Sequence, residues 1–493
     1  MDRNTKIGIC GSGPIGNYLV IRLIELGFTN LTVFESGYQQ NENTALTKKN
    51  YLFETPSMIP EGVHRLGGGG NYWFGRIGEF SQNNFQGTSS ASETNWPISK
   101  ADLAPHYRKV RQILNIEETS DDKLTKKIEE ALSLDIPKEL ELQVFQWIDP
   151  LVLKKKFLKL VRNRLVNVLT GHFVDCINPV VGGGFTIFCK DSDSTHTKHE
   201  GFETIFLAAG TLQTTAIIQR SRKALGINDE KIGRKLMEHL DFFVGEVTVM
   251  KSNVETLKKL CLNRRRSLPS ISKKLGVAIK PSIEIEQTLN FLHISLEVVP
   301  QTSTYYFSPR ESFLIHSKLQ WRQVPFLFER VFRRTIRLWR DCQYEFGFRE
   351  KKYSLWLKAE ELPFKNSYFT ISQNNPYEYC YNHQISDETF IGVKQALAWI
   401  KDIFQQNNMG VVHYNEKLNC KENLESVAVN FHPMGTLAFG DNPNNSVCNE
   451  YLELHQQRGL FVASAAVFPS GSNANPTFTT LALVERAIVS RML

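Results

Sequence analysis

The chain contains no CxxC pair, no apolar run of membrane-spanning length and no long basic tail. Its eight cysteines (10, 176, 189, 261, 342, 380, 420 and 448) stand singly, which argues against a zinc site, a redox dithiol and a disulfide framework. The N-terminal MDRNTKIGIC lacks the basic-then-apolar layout of a secretory signal, so the expected location is reducing and cytoplasmic. No internal repeat and no nucleic-acid-binding module appear. The excess of charge is small: 58 basic against 51 acidic residues, a formal +7, which suits an anionic small molecule without requiring nucleic acid. What remains is ordinary globular material, 41% hydrophobic and 22% charged, and 493 residues are enough for at least two cores.

The first ordered signal is KIGICGSGPIGNYLVIRLIELGFTNLTVFES. A short apolar run predicts a buried strand, and Gly11, Gly13 and Gly16 follow in GxGxxG spacing. Leu19, Val20, Leu23, Ile24 and Leu26 recur at helical intervals, and a second strand closes on Glu35. The glycines permit a tight turn, close approach to a pyrophosphate and close helix–strand packing, and the helix N-terminus favours phosphate. Glu35 suits an unphosphorylated adenosine ribose. The motif predicts a dinucleotide site and does not separate FAD from NAD. Tyr18 and Asn17 are expected to pack or face solvent.

Downstream, VHRLGGGGNYWFGRIGEF holds four consecutive glycines, a backbone able to lie against a planar ligand. Pro97 and Ser99 open a helix carrying Leu103, Tyr107, Val110 and Leu114. Residues 120–160 read as a helical or loose insertion, and 167–189 as strands joined at Gly182–Gly184. FETIFLAAGTLQTTAIIQRS reads as strand, small-residue turn and helix. Beyond 241 the pattern turns to antiparallel strands, broken by FLFERVFRRTIRLWR at 326–340. That stretch predicts a basic amphipathic helix that either caps a substrate domain or lies on a membrane surface. The NRRR run at 263–266 is expected to be a solvated loop.

The sharpest signal is C-terminal: VNFHPMGTLAFG, then RGLFVASAAVFPSGSNANPTFTTLALVERAI. Asn475 as N-cap and Pro476 at the first helical position predict a helix start, with its positive end toward the preceding loop.

These motifs, in this order, resemble the glucose–methanol–choline (GMC) flavin oxidoreductases, over about residues 5–115, 200–240 and 425–493. The resemblance implies an α/β fold: a Rossmann-like FAD-binding domain (1–240 and 421–493) and an α+β substrate domain on an antiparallel sheet (241–420). It implies FAD, held by Gly11, Gly13, Ile15, Gly16, Glu35, Gly69, Gly70, Asn71, Trp73, Val174, Ala209, Ala466 and Thr477. It also implies oxidation of a CH–OH group. His432, in the HxxGT position, would take the hydroxyl proton, and Asn475 would hydrogen-bond the substrate oxygen. An imidazole can accept a proton near neutral pH, and an amide holds an oxygen without competing as a base.

Three features depart from the pattern. Ser464 replaces a common aspartate, leaving amides such as that of Ala466 to hold the flavin. Tyr72 stands where some relatives attach FAD through histidine, which predicts dissociable FAD. The GGGGNYW loop is similar to the sugar- and polyol-oxidising branch. The expected partners are a small alcohol and an acceptor, O2 or another. Alternatives are a non-redox FAD-containing lyase and a membrane-associated lipid or sterol alcohol oxidase.

Overall fold

The computed structural model describes residues 1–37, 51–53, 65–86, 95–116, 118–133, 136–190, 195–227, 230–249, 254–261, 275–289, 292–300, 339, 350–427 and 432–493. The 263–266 run lies outside the described residues, as does the 326–340 stretch apart from Trp339. Among the described residues no helix is long and apolar enough to cross a membrane.

The short apolar segments build a five-stranded parallel sheet in the order Leu460–Val462, Thr204–Leu207, Ile7–Cys10, Leu31–Glu35, Asn167–Thr170. Strands buried on both faces read as unbroken apolar runs, which is why IGIC, LTVFE and TIFL show no alternation. The last helix, Pro476–Met492, buries residues around most of its circumference, as a helix enclosed by protein must. It joins the two ends of the chain. Tyr18 Oη donates to Glu485 at 2.8 Å, Arg22 Nε reaches the same carboxylate at 2.8 Å, and Tyr107 Oη bonds Thr479 Oγ1 at 2.7 Å. Tyr18 and Asn17 are thus interior packing residues.

A seven-stranded antiparallel sheet stands apart: Val411–Tyr414, Leu240–Thr248, Lys352–Ala359, Ile294–Pro300, Leu275–Pro281, Leu140–Trp147, Arg76–Ile77. Its strands alternate, so one face (Leu240, Leu355, Leu357, Leu296, Val144) forms a second core with the helix Asp387–Gln406. The opposite face carries Asp241, Lys358, Ser295, Glu297 and Gln143. Asn473, in the loop before the last helix, donates to Gln143 Oε1 at 3.1 Å, so this polar face meets the C-terminal loop.

The 120–160 region is not a loose insertion. It forms helices Asp121–Leu132 and Val152–Arg162 with the strand Leu140–Trp147 between them. That strand and Arg76–Ile77 lie in the antiparallel sheet although they precede residue 241. Lys/Glu richness hid the strand's alternation, half of which faces a polar surface. The helix Lys100–Ile113 starts where expected, with Ser99 accepting the Asp102 N–H. The segments at Gly182–Gly184 form a hairpin, Phe173–Pro179 with Phe185–Lys190.

Candidate active site

At the C-terminal edge of the parallel sheet two glycine turns press together. A Cβ on Gly11 would sit 2.6 Å from the Ala208 carbonyl oxygen, and one on Gly16 2.0 Å from the Gly11 carbonyl oxygen. Both positions are closed to any side chain. The second loop docks on the first: Gly67 N–H donates to Ser12 Oγ at 2.9 Å, and a Cβ on Gly70 would meet Pro14 Cγ at 3.1 Å. Gly13 and Gly69 differ, because nothing lies within 4 Å of a Cβ at either. The two loops therefore border a cradle whose open faces are bare backbone, beside the N-terminus of the helix Pro14–Glu25.

The neighbours predicted to bind the cofactor fall into two groups. Ile15 lies half-buried in the first helical turn, and Ala209 crosses Gly11, whose would-be Cβ is 2.9 Å from its Cα. Trp73 is half-buried, and its buried indole N–H has no partner. Thr477 is half-buried in the first turn of the last helix. Val174, fully buried, follows His172, whose N–H bonds the Glu35 carbonyl at 3.0 Å.

Three others are already engaged. Glu35 accepts from Ser12 N–H at 3.1 Å, from the Ser12 hydroxyl and from Gly37 N–H at 2.8 Å, so its carboxylate braces the first turn. Burial raises its pKa, against the opposing pull of those bonds. Asn71 donates to Gly68 O at 2.8 Å and accepts from Lys154 Nζ at 2.6 Å, which staples the glycine loop to the helix Val152–Arg162. Ala466 N–H donates to Ser464 Oγ at 3.2 Å, so the serine that replaces aspartate holds the amide expected to face the flavin.

His432 and Asn475 come together from 43 residues apart in sequence: Asn475 Nδ2 lies 3.4 Å from His432 Nε2. Asn475 occupies the N-cap position but makes no capping bond with its side chain, which turns to the imidazole instead. Its Oδ1, and His432 Nδ1, are buried without a hydrogen-bond partner. Buried polar atoms left this way are rare, and a site that binds a ligand accounts for them.

The HPMGT segment is fixed on several sides. Met434 exchanges two main-chain bonds with Met237, at 2.9 and 3.0 Å. Thr436 Oγ1 bonds Thr215 Oγ1 at 2.7 Å, and the Pro433 carbonyl accepts from Thr211 Oγ1 at 2.6 Å. Gly435 has φ +88°, and a Cβ there would sit 2.7 Å from Lys235 O, so the glycine of this turn has no substitute.

Burial foremost, then the charges of Lys358 and Arg76, push the His432 pKa down to about 4. The imidazole is neutral at pH 7 and free to accept a proton. The ring of His239 stands edge-on to it, centroids 5.6 Å apart, with Nδ1 3.0 Å from the Ser472 carbonyl oxygen and Nε2 unpartnered.

The polar face of the antiparallel sheet supplies charge that the sequence reading missed. Lys358 pairs with Asp241 and lies 4.0 Å from Glu297, which also pairs with Arg76. The Arg76 guanidinium stacks over Phe145 at 3.5 Å. Ser295 Oγ, fully buried on the same face, has no partner. The hint in the sequence was Lys358, which directly follows the apolar run LWL in YSLWLKA.

Residues 363–483, which include both His432 and Asn475, match the family model described as GMC oxidoreductase. Comparison with curated protein sequences gives no match. Among solved structures, pyridoxine 4-oxidase from Mesorbium loti is similar at 15% identity and TM-score 0.60, with 99% of each chain covered. A formate oxidase from Aspergillus oryzae RIB40, described for the effect of a mutation on FAD modification, aligns at 13% identity and TM-score 0.60, again over 99% of each chain. These findings bear out the resemblance read from the sequence: residues 363–483 match the GMC oxidoreductase model, and the whole chain is similar in fold to solved oxidases.

Proposed function

We propose that the chain is an FAD-dependent oxidoreductase that oxidises the CH–OH group of a small polar alcohol to a carbonyl. The observation that carries this reading is the His432–Asn475 pair, 3.4 Å apart, each with a buried unpartnered polar atom. The bare-backbone cradle at Gly13 and Gly69 fits a dinucleotide pyrophosphate, and the half-buried indole of Trp73 beside it fits a planar ring. FAD, when bound, supplies a hydride acceptor at its N5. This chain's own residues would do the rest. His432 takes the hydroxyl proton at a ring nitrogen, Asn475 holds the oxygen from which it departs, and the antiparallel sheet roofs the substrate. The acceptor that completes turnover is O2 or another oxidant.

The roof favours a polar substrate. A face holding Asp241, Lys358, Glu297, Arg76 and Ser295 would desolvate charges against a sterol or lipid chain at a large cost. The formate and pyridoxine named for the similar structures are small and polar, which agrees. A non-redox lyase would keep the same cradle and imidazole. Anaerobic addition of alcohols to the yellow protein separates the two, since bleaching of the flavin supports oxidation and an unchanged spectrum across a broad alcohol panel rejects it.

Replacing Asn475 with alanine should lower the anaerobic reduction rate by about 2–4 kcal/mol of barrier, the scale of a lost oxyanion donor. The stopped-flow rate at saturating alcohol checks this. Tyr72 is exposed and offers no imidazole for attachment, so acid precipitation should release FAD into the supernatant. Yellow colour kept in the pellet would contradict it.

A further inference from the structure

We propose that Glu238 is a positioning residue for His432, fixing the main chain of the base opposite Asn475. This rests on the function proposed above. The residue after His432 is Pro433, which has no N–H. The next donor, Met434 N–H, is spent on Met237 O at 2.9 Å. The main-chain donor of the base itself, the His432 N–H, is held by a side chain: Glu238 Oε2 accepts it at 2.6 Å. A carboxylate makes a shorter and stronger bond here than a neutral acceptor would.

The three consecutive residues 237–239 all grip this turn. Met237 exchanges main-chain bonds with Met434, Glu238 holds the His432 N–H, and His239 sets its ring edge-on to the imidazole. Glu238 touches the main chain of His432 rather than its ring, so it acts through placement.

Glu238 is itself held from behind. Tyr381 Oη donates to its Oε1 at 2.9 Å, and its own N–H donates to Glu361 Oε2 at 2.7 Å. His383 Nε2 lies 2.9 Å from both oxygens of Glu361. All four side chains are at most 3% exposed. Burial opposes charge on His383, yet Glu361 outweighs it and the pKa rises to about 9, which favours the protonated imidazole at pH 7. Burial raises Glu238 to about 7, which marks a carboxyl kept out of water for a purpose other than surface solvation. The network runs from the strand Tyr379–Asn382 to the main chain of His432.

The test uses holoenzyme labelled with ¹⁵N-histidine, twelve residues in all, together with Glu238→Gln, Glu238→Ala and Tyr381→Phe. An N–H bonded to a carboxylate at this distance gives a far-downfield amide signal, which His432→Ala identifies by its disappearance. Expected is an upfield move of that signal in Glu238→Ala and a smaller one in Glu238→Gln and Tyr381→Phe. A wild-type spectrum without the downfield signal overturns the proposal.

The kinetic arm uses whichever of pyridoxine, glycerol or benzyl alcohol bleaches the wild-type flavin. Glu238→Ala should keep its flavin and its half-saturating alcohol concentration while the limiting reduction rate falls about 100-fold, the cost of a base misplaced by about 1 Å. Glu238→Gln, which can still accept from His432 and pair with Tyr381, should recover most of that rate. Equal rates in wild type and Glu238→Ala overturn the proposal, and so does loss of flavin in both Glu238 variants, which would mark a purely structural residue. If Glu238→Ala does not fold, the other two variants carry both readouts. If none of the three alcohols bleaches the wild type, the kinetic failure belongs to the function reading, and the amide signal still decides this one.

Discussion

Substituting His432 with alanine is expected to slow anaerobic flavin reduction by about 10²–10⁴-fold, the range of a lost general base. FAD should remain bound, because the cradle is formed by residues 11–16 and 67–70 and by no atom of His432. The visible spectrum of the purified variant checks binding, and stopped-flow reduction checks the rate. A variant that reduces its flavin at nearly the wild-type rate would remove His432 as the base.

The pH profile sharpens the test. A base must be unprotonated to act, so the rate falls as pH drops through its pKa. With burial, Lys358 and Arg76 holding His432 near 4, the acid limb should lie around pH 4 rather than at the ordinary histidine value of 6.5. A limb near pH 7 that vanishes in Glu238→Gln would assign the titration to Glu238 instead, whose carboxyl burial raises to about 7.

Two glycines of one motif should fail in opposite ways. Gly16→Ala places a methyl 2.0 Å from the Gly11 carbonyl oxygen, a backbone atom with nowhere to go. Over-packing of this kind costs about 3 kcal/mol or more, so thermal unfolding should shift sharply downward with or without FAD. Gly13→Ala meets nothing within 4 Å, and its φ of −64° with ψ of −174° is open to alanine. The apoprotein should be as stable as wild type or slightly more so, by about 0.4–1 kcal/mol. Its FAD affinity should fall, because the methyl occupies the face left for the pyrophosphate. Flavin titration of apoprotein, run beside thermal unfolding, distinguishes the two. Equal losses of stability in both variants would contradict the cradle.

Much of the local architecture was legible because its causes are local. IGIC had to be a doubly buried strand, GxGxxG had to be a tight turn, and Asn475–Pro476 had to open a helix. Other features were hidden by the same logic. Leu140–Trp147 looked like part of a charged insertion, since Glu141, Gln143 and Gln146 interrupt its apolar residues and no nearby residue announces the sheet they pair with. Glu35 reads as a cofactor ligand from its spacing and Asn71 from the resemblance, and the fold adds hydrogen bonds to Ser12, Gly37, Gly68 and Lys154 through which both brace the turns. Spacing says where a side chain starts, and only its neighbours say what it is free to hold.

The sequence by itself determined the elements, the two glycine turns and the residue types available for chemistry, because backbone sterics and apolar periodicity act over a few residues. The tertiary structure alone decided that Glu238, Lys358 and Arg76 stand around His432, a grouping drawn from positions up to 356 residues apart in the chain. Charge and desolvation act through space, and in a folded chain the nearest groups in space are seldom the nearest in sequence.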